Sequence, residues 1–181
     1  MGDIDEETDN EIPLKQKKEG GQRVKHLFLY NWQIRDEWMN LFQQLPHEEL
    51  IRERVGGVGS ILRTFFHIVD VEYSWTQVLM GEDISDPCYE EYMSLDLIMK
   101  LSNDCREHIK EFINSISTAR DYEIVTPPWS RDQYYFGEVL RHVIAHEIHH
   151  VGQFSVWAKQ IGLEVVSSNF IDRGLINKKL D

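Results

Sequence analysis

The sequence contains no apolar run long enough to span a membrane as a helix. Its opening residues are acidic and polar, unlike a secretory signal. Cysteine is scarce: Cys88 and Cys105 are too few for a disulfide framework and form no metal-type pair. A reduced, cytoplasmic setting is the expectation. Basic residues are in deficit, with 19 Lys and Arg against 31 Asp and Glu and a formal net charge of −12. Such a surface repels phosphate backbones and anionic lipid, which argues against nucleic-acid and membrane-surface partners. There is no internal repeat, no low-complexity tract beyond the N-terminus and no convincing set of strands.

What is present suits a soluble helical domain. The 181 residues are 41% hydrophobic and 28% charged, enough to bury a sizeable core in one domain. Residues 1–21 mix acids, lysines and Gly20–Gly21 with little apolar content and read as a flexible acidic tail, leaving 22–181 as the domain. From Arg23, apolar residues recur at three- and four-residue spacings up to Leu45, where Pro46 stops the helix. Ser60 is placed to cap a second helix that Gly81 ends at Met80. A third helix is predicted over Ser94–Ile116, with Cys105 on its buried seam as a small core hydrophobe. Tyr122–Val125 reads as a short extended piece, Pro127–Pro128 bar helix, and Tyr134–Phe136 lead into a fourth helix running to Gly162. Four long amphipathic segments without a strand set predict an all-α four-helix bundle.

The most informative stretch is Arg141–Gln153, which holds four of the eight histidines. On a helical wheel His146 falls within roughly 40° of His150, on the stripe shared with Val139, Val143, Phe154 and Trp157. His142 and His149 fall at the edge of that stripe and read as surface or supporting residues. One buried histidine is ordinarily a neutral ring satisfied by hydrogen bonds. Two rings on adjacent turns of a buried face are costly to desolvate unless something binds both, and neutral imidazole is the commonest metal ligand. On the second helix, His67 shares a face with Ser60, Thr64, Val71 and Ser74, a mixture that suits a pocket lining. On that segment alone a plain helix histidine at the core's edge fits as well. If the two helices are neighbours, His67, His146 and His150 converge, and a three-histidine set leaves a coordination position open.

At these residues the chain resembles the DinB/YfiT-like family of metal-dependent four-helix-bundle proteins. The likeness runs from about Leu27 to Ile161 through Leu29-Tyr30-Asn31-Trp32, Gly59-Ser60-Ile61, His67-Ile68-Val69-Asp70-Val71-Glu72-Tyr73-Ser74-Trp75 and His142–Gln153. The resemblance implies a bundle, often a homodimer, with a divalent metal held by His67, His146 and His150. It also implies chemistry of the kind found in family members that are thiol-dependent transferases or isomerases using a low-molecular-weight thiol.

The function expected is therefore metal-assisted activation of a thiol or water for transfer to a small electrophilic substrate, with Zn, Ni, Fe or Mn all acceptable to three imidazoles. Asp70, one turn after His67, and Glu147 and Gln153, beside the helical histidines, are the candidate pocket or supporting residues. A non-catalytic metal-binding or interaction module is the alternative. His146-Glu147-x-x-His150 also fits the H-E-x-x-H pattern of zinc peptidases, with Glu147 as the base. That reading lacks a good downstream third ligand and leaves His67 unexplained.

Overall fold

A computed structural model describes residues 14–176. Its long helices are α1 (Leu14–Phe42), α3 (Ile61–Met80), α4 (Leu95–Ser115) and α5 (Phe136–Gln160), with a short α2 (His47–Ile51) between the first two. The caps follow the local sequence. Ser60 Oγ accepts from the Arg63 amide and Ser94 Oγ from the Leu97 amide, while Gly81 closes α3 in the left-handed conformation. At the start of α5 the Glu138 carboxylate accepts from the Tyr135 amide.

α3 packs against α4 and α5, and α1 packs against the same two helices, so α1 and α3 face each other across the diagonal of the bundle. The core is in two apolar parts. One, around Trp38, Phe42, Phe65, Phe154 and Trp157, joins the C-terminal halves of α1 and α5 to the first half of α3. The other, around Phe28, Leu79, Ile109, Ile113 and Phe136, fills the opposite end. After α5 the chain folds back along the bundle, with Leu175 buried and the Tyr30 hydroxyl donating to the Ser168 carbonyl.

One boundary differs from the sequence reading. α1 begins at Leu14 and not at Arg23, so residues 14–21 are helix and not tail; residues 1–13 of the expected tail lie outside the described residues. The Gly20–Gly21 pair, read as part of the tail, serves close packing instead. A side chain on Gly21 would collide with the Ile116 carbonyl, and one on Gly20 with Thr118. The extended piece read at Tyr122–Val125 contributes Ile124–Val125 to a two-stranded antiparallel ribbon, in which Ile124 pairs with Tyr135 and Val125 with Tyr134; the partner strand is not evident from sequence. Two residues per strand are too few to show an alternating pattern in sequence.

Candidate metal centre

Because α3 and α5 are neighbours, the three histidines selected on the wheel meet. His67 Nε2 lies 3.0 Å from His146 Nε2, which lies 3.2 Å from His150 Nε2. The ring of His67 stands edge-on to both others, with centroids 4.8 and 5.0 Å away. Three nitrogens thus point at one small volume. Two nitrogens held about 2.0–2.1 Å from a shared tetrahedral ion sit about 3.3 Å apart, so the observed spacings fit one. Among the described residues this is a histidine group that could hold a metal ion.

The electrostatics agree with ligand duty. Burial, then the neighbouring rings of His150 and His67, push His146 down to about 3. Burial likewise lowers His67 and His150 from their ordinary value. All three are neutral near pH 7, the form that ligates. His150 is also oriented. Its Nδ1 lies 2.8 Å from Gln153 Oε1, which can only accept, so Nδ1 carries the proton and Nε2 keeps its lone pair for the centre. Gln153 is fixed at its other end by donating from Nε2 to His149 Nε2.

A sequence profile of the DinB family matches residues 16–174. Over 149 residues the chain is 44% identical to the uncharacterised protein YizA of Bacillus subtilis strain 168, a match spanning 82% of this chain and 94% of that one. The chain belongs to the DinB family. The fold likeness extends to the crystal structure of a DinB-like protein from Bacillus cereus ATCC 10987. That match has a TM-score of 0.55 at 20% identity and covers 77% of this chain and 94% of that one. The four-helix architecture expected from the apolar pattern is therefore also the architecture of a DinB-like relative.

In this DinB-family chain a cavity of about 350 Å³ lined by Val58, Arg63, Phe66, His67 and Tyr89 reaches the triad at His67. The loop before α3 closes another side. Trp157 Nε1 donates to the Val55 carbonyl, and Gly57 packs so tightly that a Cβ there would stand 2.6 Å from Gln153 Oε1. Gly57 has φ +60°, so this close approach and the backbone conformation both favour glycine. His142 and His149 are exposed, with the His142 ring between those of Trp75 and His146.

Glu147 has a different task from the one weighed for it. It is buried, and its two oxygens accept from Arg35 Nε and Nη2 at 2.7 and 2.6 Å. Arg35 reaches across the bundle diagonal to Glu72 as well, with Nη1 donating to Glu72 Oε1 at 3.0 Å and to Ser102 Oγ at 3.1 Å. Trp32 Nε1 donates to the other Glu72 oxygen. This charged layer ties all four long helices together at mid-height. Glu147 is thereby engaged in the core and is not a free base, which removes the main support for the peptidase reading. Burial raises its carboxyl above the usual range, Glu72 adds to the rise and Arg35 opposes it. Sequence reasoning missed Arg35 and Glu72. The signal was present: each lies seven residues from core apolar side chains on both sides, Phe28 and Phe42 for Arg35, Phe65 and Leu79 for Glu72.

Proposed function

We propose that this DinB-family protein is a metal-dependent enzyme in which His67, His146 and His150 hold a divalent ion, Zn, Ni, Fe or Mn, and in which a thiol or water is activated for transfer to a small electrophilic substrate. The observation that carries this reading is the convergence of three neutral Nε2 atoms, one of whose rings, His67, lines a cavity. A divalent ion in such a site supplies Lewis acidity, which favours the deprotonated form of a thiol or water at neutral pH. The chain's own residues do the rest. Gln153 holds His150 in the ligating tautomer, and α3 presents His67 to α5 at a fixed height because the Arg35 layer registers the two helices. Asp70 lies one turn from His67 with its carboxyl raised by burial and then by Asp86, positioned to bind substrate.

Elemental analysis of purified protein tests the first part: His67→Ala, His146→Ala and His150→Ala are each expected to lose the ion. Stoichiometric metal in a double histidine variant would overturn the site. Turnover is tested with low-molecular-weight thiols and model electrophiles. A metal-binding module without turnover is the second reading, favoured by the engagement of Glu147 in the core; it is the outcome if metal is retained and no product forms. Peptide cleavage lost in Glu147→Gln with metal still bound would instead restore the peptidase reading. The cytoplasmic setting and a homodimer belong to the same proposal. Unpaired Cys88 and Cys105 support the first, and Ile148 and Val156, exposed on the outer face of α5, support the second, which light scattering would check.

A further inference from the structure

Beside the triad, the exposed side of α3 borders a second and larger hollow. A cleft of about 580 Å³ runs between α3 and the loops at 84–86 and 128–129. It starts one turn along α3 from His67, at Asp70. Its walls are aromatic: Trp75 and Trp129 meet edge to face with centroids 5.0 Å apart, and Trp129 is half exposed. The Trp75 ring also leans on His142, which in turn contacts His146, so a chain of ring contacts links the cleft to the triad.

The charge in this cleft is of one sign. Asp70 and Asp86 line it, and no Lys, Arg or His does. Among the described residues neither carboxylate has an ion-pair partner. Burial raises the Asp70 carboxyl, and the charge of Asp86 adds to the rise, as for two acids that lack a cation between them. The lining continues into a neighbouring cavity of about 540 Å³ that shares Ile84 and Pro128 and adds Asp83 and Glu82, the latter facing His108 Nε2 at 3.2 Å. Carboxylates set beside tryptophan faces recognise ammonium groups, through charge and through attraction to the ring quadrupole. Asp83, which has no ion-pair partner among the described residues, favours a ligand with a second cationic end.

We propose that this cleft binds an extended organic cation, an aliphatic diamine, with one ammonium between Asp70 and Asp86 and its carbon chain along Trp75 and Trp129. The proposal concerns binding alone and does not rest on the proposed function, since an alkyl diamine offers no electrophilic carbon to an activated thiol or water.

The test is calorimetric titration of the full chain with cadaverine, a five-carbon diamine, on metal-loaded and metal-stripped protein. Glutarate, the dianion of the same carbon count, is the control. Saturable binding of cadaverine and none of glutarate is expected. Asp70→Asn with Asp86→Asn is expected to weaken binding at least about tenfold, and Trp129→Ala about three- to tenfold. Unchanged thermal unfolding of the carboxamide variant would show that it folds, and the exposed single variant Asp86→Asn serves if it does not. No binding of cadaverine to either form, equal binding of glutarate, or undiminished binding in Asp70→Asn/Asp86→Asn would overturn the inference. His67→Ala/His146→Ala separates the two proposals: loss of metal with cadaverine still bound leaves this one standing whatever becomes of the chemistry.

Discussion

Two polar clusters sit at the middle of the same pair of helices and have opposite designs. In the charged layer, all three Arg35 nitrogens find partners on Glu72, Glu147 and Ser102, and the layer is sealed between the two apolar parts of the core. In the triad, three imidazoles turn lone-pair nitrogens towards one another, and His67 lines a cavity. The first cluster satisfies itself. The second has capacity left over for a ligand. His146 and Glu147 are adjacent in sequence, yet a step of about 100° round α5 sends one to the open face and the other to the sealed centre. The comparison teaches that buried polarity marks function only where its bonding is incomplete.

The contrast is broken most strongly at Arg35. Arg35→Met leaves two carboxylates in the core without their cation and is expected to cost about 3–5 kcal/mol, read by urea denaturation. Replacing the whole layer, Arg35→Met with Glu72→Leu and Glu147→Leu, is expected to recover most of that loss, because the triple variant strands no charge. A triple variant as unstable as Arg35→Met would mean that the layer holds the fold by more than charge pairing.

The triad is expected to respond the other way. His146→Ala should weaken zinc binding by about a thousandfold, equivalent to roughly 4 kcal/mol, while unfolding of the metal-free protein changes by less than about 1 kcal/mol. Competition with a chromogenic chelator reads the first, and denaturant unfolding of chelated protein the second. A metal-free His146→Ala protein destabilised as much as Arg35→Met would erase the distinction between the two clusters.

The triad was legible in sequence because His146 and His150 repeat at one-turn spacing on an apolar stripe, and His67 occupies a mixed face. Its closure still depended on α3 and α5 being neighbours, which one-helix periodicity does not encode. The charged layer was less legible. A lone charge on an apolar stripe reads as a boundary residue until its partners on other helices are known, and Arg35 lies on a helix diagonal to that of Glu72. The Gly20–Gly21 pair misled for a related reason: low helix propensity is a local signal, whereas the close passage of α1 by Ile116 is a tertiary one. The Asp70–Trp129 cleft had no sequence signature, since its walls come from segments 53 to 59 residues apart in chain order, a helix and a proline-rich loop.

Gln153 sharpens the comparison, being polar but bonded on both sides like the sealed layer while serving the open one. Gln153→Ala frees His150 to rotate or change tautomer and is expected to weaken metal binding about 10–100-fold with little change in fold. An affinity equal to that of the unaltered protein would show that Gln153 does not set the orientation of the ring.

The smallest expected effect is the pH response of the metal-free protein. His146 titrates at about 3 when folded against an ordinary 6.5, so between those values the unfolded chain binds more protons than the folded one. Its neutral-form stabilisation is complete above pH 6.5 and is lost as pH falls towards 3. Over the first unit below 6.5 the loss is expected to be under about 1 kcal/mol, since the ring is partly exposed and solvent screens it. Carboxylates of the charged layer titrate too, so the informative quantity is the difference in slope between the unaltered protein and His146→Ala in denaturant series taken across that window. A steeper fall for the unaltered protein assigns the proton to the triad. Parallel slopes would mean that His146 takes up its proton in the folded chain as readily as in the unfolded one, and that the three rings are not held close enough to exclude it.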